Sequence, residues 1–488
     1  MEQVGDLGMD GAAIMGLGIA ELASAIARRE VTALAATEAS LTALAAWQPA
    51  TNAMARPRAE AAREAASAVD AAIAAGRKLG PLAGVPMAHK DMYYRAGEVA
   101  ECGAKVRRGF VPDVTSTALA RLDEAGSVQT AALNMAEFAF NPTGHNDHTG
   151  HVRNPWNGAH ITGGSSSGSG AAVAARATFA ALGSDTGGSI RLPAAICGVT
   201  GLKPTWGLAS RHGAMPLSAS LDTVGPLTRS VHDCALVTQA IAGADPNDPD
   251  AADRPVPDYL ATIDAGAKGL VIGIEKRFLW DGIEPEVEAI LEEALSAWRA
   301  AGATIVEVEA PGLAELRALV GTIMFAEAGT LHGTWLRERA DDYTPVVRAR
   351  LESGLAIPAA TYLDALRARA PVTQAFCDAV FSRCDALFAP VLLFPVPTIA
   401  ESDVRAEGGA RWSSAIPRNT RIFNYLGLPG LSLPSGFTRN GLPCGHQLIG
   451  RPFDEATLFR AGHAFQRVTD HHLKAPRLSV QALPSPHA

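Results

Sequence analysis

Two glycine loops, each carrying a serine, lie close together in this chain. Gly163-Gly164-Ser165-Ser166-Ser167-Gly168-Ser169-Gly170 and Ser184-Asp185-Thr186-Gly187-Gly188-Ser189-Ile190-Arg191 set Ser165 and Ser189 24 residues apart, with helix-forming alanines (GAAVAARATFAAL) between them. Glycine lets a backbone turn tightly and approach a neighbour closely, so the loops read as built features of a site. In the second loop, two glycines ahead of a serine permit consecutive N–H groups to point one way, as an oxyanion hole requires. Thr186, Gly187 and Gly188 are the expected backbone donors, with Ser189 placed at their edge to attack. The stretch before the first loop, NPTGHNDHTGHVRNPWNGAHITGGSSSGSG, is too long for a simple connection in a compact domain, and such loops usually serve function.

Other chemistries fit these residues less well. A Gly/Ser loop ahead of a helix can cradle phosphate, but here it lacks the Lys-Ser/Thr ending. Gly164 to Gly168 matches G-x-S-x-G, which would make Ser166 the nucleophile of an elbow, yet a polar, Pro-interrupted loop precedes it where a strand is needed. His145, His148 and His151 recur every three residues, but Gly144, Asn146 and Gly150 interrupt any helix and no Cys or Glu completes a ligand set, so no metal is expected.

With 48% hydrophobic and 19% charged residues, the 488-residue chain can bury a large core. Its net charge of -8 is spread without a basic stripe, which disfavours nucleic acid as a partner. Six scattered cysteines without CxxC point to a reducing compartment. The N-terminal segment lacks the basic start of a secretory signal, and no apolar run is long enough for a membrane span, so a cytoplasmic protein is expected.

Helical periodicity covers residues 19–76, and PLAGVPMAHKDM reads as a buried strand ending at Lys90. A capped helix over 116–126 leads into the strand SVQTAAL. LVIGIEK and TIVEVEA flank the helix PEVEAILEEALSAWRAAG as a β-α-β unit with parallel strands, residues 321–384 are mostly helical, and CDALFAPVLL enters another buried strand. The class is α/β. A single domain is expected over 19–472, with its core at about 81–235, between an N-terminal extension (1–18) and a flexible tail (473–488).

These segments together resemble the amidase signature family. GGSSSGSGAAVAA followed by ALGSDTGGSIRLPAAICGVTGLKPT resembles its signature, PLAGVPMAHKDM its lysine segment, NMAEFAF and RNPWN its middle, and FNYLGLPGLSLPSGF with GLPCGHQLIGRPFDEATLFRAGHAF its C-terminal part, over roughly residues 20–470. The fold this implies is a central mixed β-sheet surrounded by α-helices. The chemistry it implies is hydrolysis of a C–N bond other than a peptide bond, with Ser189 as nucleophile, Ser165, beside a cis peptide, as proton relay and Lys90 as base. Ser166 is expected at the substrate, and Asp185 and Arg191 are expected to hold the loop by charged hydrogen bonds. Two departures are Ser167 where the family commonly has glycine and Ala131-Ala132-Leu133-Asn134 in place of Gly-Lys-Thr-Asn.

The resemblance implies no cofactor. It leads us to expect a small amide, carbamate (urethane) or urea-like substrate as partner, with no nucleic acid and a homodimer allowed. Its alternative is the glutaminase subunit of a tRNA-dependent amidotransferase complex. Residues 130–145, 205–220 and 320–345 are the expected pocket and lid.

Overall fold

The computed structural model describes residues 9–478. Eleven strands form one sheet: β1 (Met54–Pro57), β2 (Pro86–Lys90), β3 (Val128–Leu133), β4 (Ala180–Asp185), β5 (Thr200–Lys203), β6 (Thr223–Thr228), β7 (Val271–Ile274), β8 (Thr304–Glu307), β9 (Ala386–Pro390), β10 (Gly430–Phe437) and β11 (Pro443–Ile449). Their spatial order is β1-β3-β2-β4-β6-β5-β10-β11-β9-β7-β8. Strands β3, β2 and β4 run parallel, as do β9, β7 and β8, while the strands between the two groups pair antiparallel. The sheet is therefore mixed, as expected. Strands β2 to β6 are buried along their whole length, whereas the edge strands β1 and β8 are partly exposed. Burial on both faces is what near-continuous apolar runs such as Ala386–Pro390 require.

The expected parallel pair LVIGIEK and TIVEVEA is β7 beside β8, with the helix Pro285–Ala300 between them in sequence. Three helices fill residues 19–76, but β1 lies among them at the sheet edge. The alanine-rich GAAVAARATFAAL is only half helix. Its helix spans Ser167–Ala174 and ends where Arg176 adopts φ 52°, with Arg176 N donating to Val173 O and Ala177 N to Ala172 O. That is a Schellman end built without glycine, so composition gives no sign of it. The remainder, Ala180–Asp185, is β4.

Residues 9–18, expected as an extension, include a helix at Gly11–Gly16 capped by Asp10, with Ile14 and Met15 buried. Of the expected tail, residues 479–488 lie outside the described residues. No helix among the described residues is long and apolar enough to cross a membrane.

The helix Ser167–Ala174 is buried throughout, against small neighbours such as Ala131, Ala181 and Ala194. A side chain at Gly168 would meet the carbonyl oxygens of Ala53 and Asn134, the latter at 2.6 Å, and one at Gly170 would meet Pro193 Cβ at 2.8 Å. Gly168→Ala should therefore lower stability by about 1–2 kcal/mol in chemical denaturation, because overpacking against main chain outweighs the gain in helix propensity.

Candidate functional site

Lys90 ends β2, and β4 is its parallel neighbour with His89 opposite Leu182. The register carries Lys90 to the strand end from which the second glycine loop departs, the end of an α/β sheet where sites form. Lys90 is fully buried. Its Nζ donates to Ser165 Oγ at 2.7 Å and to Ser184 Oγ at 2.9 Å. Burial pulls its pKa down to about 7, against a smaller upward pull from the carboxylates of Asp222 and Asp185. From 10.5 that is a change of about 5 kcal/mol between the protonation states. The Gly164–Ser165 peptide is cis.

Asp185, at the end of β4, holds the second loop in shape. Its Oδ1 accepts from Gly188 N at 2.7 Å, and its Oδ2 from Ile190 N at 3.1 Å and Arg191 N at 3.3 Å. The Arg191 guanidinium adds two donors to the carboxylate, and Asn424 Nδ2 a third at 2.8 Å. Burial alone would raise the Asp185 pKa, but Arg191 and the other donors overcome it and hold the carboxyl well below the usual range. Arg191 in turn donates to Gln447 Oε1, Thr420 O and Asn424 Oδ1, tying the loop to β11 and the helix Arg421–Tyr425. Gly188 sits at φ 128° with its Cβ position blocked by Thr420, so only glycine fits there.

One expected donor is corrected by these bonds: the Gly188 amide is committed to Asp185 and is not free for an oxyanion. The amides of Thr186, Gly187 and Ser189 have no partner among the described residues, and these three residues line a cavity of about 280 Å³. Ser189 is 7% exposed. Its hydroxyl has no hydrogen-bond partner among the described residues, Ser165 included. Ser166 is also corrected. It is fully buried, away from the cavity, and its Oγ joins the Ser184 backbone in both directions at 3.3 Å, pinning the two loops together.

Sequence reasoning misses Ser184 because the alanine-rich stretch before it disguises its strand as helix. Of the expected pocket segments, 139–142, Leu217, Met324 and Phe325 do line the cavity, but Arg350, Ser413, Ser414, Pro417 and Arg421 were not anticipated. Among the three loop histidines, His148 Nε2 pairs with Glu137 at 3.0 Å and His145 Nε2 with Ser402 Oγ at 3.1 Å.

A mixed α/β sheet with this loop pair belongs to the hydrolases of carbon–nitrogen bonds other than peptide bonds. The chain belongs to the amidase signature family, as the model of the Amidase family matches residues 35–459. It is 40% identical over 483 residues to a glutamyl-tRNA(Gln) amidotransferase subunit from Moorella thermoacetica, covering 94% of this chain and 98% of that protein. It is similar to a solved structure described as an unexpected vestigial protein complex revealing the evolutionary origins of an s-triazine catabolic enzyme. That likeness has a TM-score of 0.86 and 34% identity, over 92% of this chain and 98% of the other. Native peptide amidase from Stenotrophomonas maltophilia matches at TM-score 0.79 and 30% identity, over 94% and 97%.

The amidotransferase relatives correct the expectation of a small-molecule substrate as the sole partner, since each is named as a subunit. Further relatives at 37–39% identity bear the same name, that of one chain of a larger glutamyl-tRNA(Gln) amidotransferase.

Arg191→Met should cost about 3–5 kcal/mol in urea denaturation, because it strands a buried carboxylate. Asp185→Asn should cost a similar amount, because it leaves the buried Arg191 cation unpaired and turns an amide NH2 toward donors that the carboxylate oxygen accepts from.

Proposed function

We propose that this chain hydrolyses a carboxamide through an acyl-enzyme on Ser189. The observation that carries the reading is the 2.7 Å contact of a fully buried Lys90 with Ser165, beside a loop whose free amides and Ser189 face one cavity. Neutral Lys90 takes a proton from Ser165 as Ser165 takes one from Ser189, and Ser189 Oγ bonds the carbonyl carbon. The amides of Thr186, Gly187 and Ser189 receive the developing oxyanion. The proton returns through Ser165 to the departing nitrogen as the C–N bond breaks, and water then hydrolyses the ester. The relatives supply the setting: the chain serves as the amide-hydrolysing component of a glutamyl-tRNA(Gln) amidotransferase, drawing ammonia from glutamine beside partner chains in the cytoplasm.

A second reading, an amidase for amides or carbamates (urethanes) that works without other subunits, is favoured by one observation. The cavity wall is largely apolar, with Phe140, Leu192, Leu217, Met324 and Phe325, and among the described residues no carboxylate lines it to meet the ammonium of glutamine.

Ser189→Ala should lose at least a thousandfold in ammonia release, and unchanged turnover would overturn the nucleophile assignment. Because the base works neutral and its pKa in the folded chain is about 7, kcat/KM should fall about tenfold per unit below pH 7 and level off above it. Glutamine hydrolysis stimulated by the remaining chains of a related amidotransferase would support the first setting. Rapid hydrolysis of anilides or aryl carbamates by the chain alone would exclude it.

A further inference from the structure

Asp222 is a buried carboxylate that makes no salt bridge among the described residues. It directly precedes β6, whose register sets Thr223 opposite Asp185 and Val224 opposite Ser184 on β4. Its Oδ1 accepts from Thr186 Oγ1 at 2.5 Å, and its Oδ2 accepts from Leu217 N at 2.8 Å and Ser218 N at 3.0 Å. Burial pushes its pKa up, against a downward pull from these donors and Arg211. The two amides can only donate, which favours the carboxylate over the acid.

Strand β4 lies between β6 and β2, the strand that ends at Lys90. Ser184 on β4 accepts from Lys90 Nζ and, with Asp222, lines a second cavity of about 210 Å³ that shares no residue with the cavity of Ser189. Three groups oppose the effect of burial on Lys90: Asp222 most strongly, then Asp185 and Cys102. Asp185 is neutralised by Arg191, and burial pushes the Cys102 thiol up to about 12, so it carries no charge near neutral pH. Asp91, next to Lys90 in the chain, pairs with Arg56, and the Tyr93 phenol, kept protonated by burial and Asp222, donates to Gly183 O at 2.6 Å. Around the second cavity, Arg211 is held by Asp248 and Asp250, and His212 Nδ1 lies 3.4 Å from Thr117 Oγ1. Asp222 is thus left as the unpaired negative charge facing Lys90 among the described residues.

We propose that Asp222 is a positioning residue for acyl transfer: its negative charge steadies Lys90 once protonated, and its hydrogen bond to Thr186 aims the amide that receives the oxyanion. This role rests on Lys90 as the base and Ser189 as the attacking group. As Ser189 Oγ bonds the carbonyl carbon, its proton passes to Ser165, the Ser165 proton passes to Lys90, and the carbonyl π electrons move to oxygen. Groups that were neutral become a cation and an anion, and a counter-charge fixed beforehand costs no reorganisation at that moment. Asp222 supplies it for the cation, as the loop amides do for the anion.

The test follows the second-order rate at which a fluorophosphonate labels the full chain as pH is varied. Ser189 Oγ bonds phosphorus, fluoride leaves and the proton stays on Lys90, so the profile reads the base whichever amide is the substrate. Wild type should lose about tenfold per unit below pH 7. Asp222→Asn should move the midpoint of that limb down by about one unit, because without the negative charge Lys90 stays neutral in more acid, and should cut the plateau at least about tenfold. Thr186→Val, which removes the tether and keeps the charge, should lower the plateau and leave the midpoint in place. Ala219→Lys, at an exposed position lining the second cavity, brings a cation toward Asp222 without altering the buried bonds and should move the midpoint down by a smaller step. An unmoved midpoint in Asp222→Asn, or in Ala219→Lys where the former does not fold, overturns the proposal. A Thr186→Val midpoint that falls as far as that of Asp222→Asn also overturns it, since the tether would then account for the whole effect. A wild-type profile with no acid limb sinks the base assignment, and labelling that persists in Ser189→Ala sinks the nucleophile. Either takes the proposal with it, with a signature distinct from an unmoved midpoint.

Discussion

The buried ion pair between Asp185 and Arg191 is the constraint on which the rest of the site depends. A carboxylate with no exposure is costly unless every lone pair is used. Asp185 meets that demand with three loop amides, two guanidinium nitrogens and Asn424. Because the donors come from both sides of Ser189, the loop can close in only one way, with the amides of Thr186, Gly187 and Ser189 left over. Arg191 spends its remaining donors on Thr420, Asn424 and Gln447, so residues more than 220 positions away are fastened to the same point.

The base depends on a different balance. Among the described residues Lys90 has only two hydroxyls as hydrogen-bond partners, and burial is the larger influence on its charge. Its position follows from β2 lying beside β4, and the closeness of Ser165 follows from a helix whose glycines let main chain touch main chain. Small residues thus do for geometry what burial does for acidity.

Much of this was legible in the chain. The fold class, the strand ending at Lys90, the β-α-β unit near the C-terminal half and the loop pair all follow from periodicity and glycine spacing, which are local signals. What was not legible depends on distant partners. Ser184 hid in alanine-rich sequence because the helix before it ends on Arg176 without a glycine. Gly188 has the spacing of an oxyanion donor, but Asp185, three residues earlier, occupies its amide. Ser166 has the position of a pocket residue because it adjoins Ser165, yet its hydroxyl turns inward to Ser184. Arg350 and Arg421 carry no motif at all, since only the folded chain brings them to one cavity.

The segment from Ser413 to Asn424 has two duties. It lines the cavity through Ser413, Ser414, Pro417 and Arg421, and it also braces the attacking loop, with Thr420 Oγ1 donating to Gly187 O at 2.7 Å and Asn424 reaching Asp185. Mutations there cannot retune preference without disturbing attack. The facing wall, Met324, Phe325 and Arg350, makes no hydrogen bond to that loop among the described residues. Diversification of this scaffold, in nature or in a directed library, therefore has its freest ground on the helical wall, where new specificities can be sampled while the machinery opposite stays fixed.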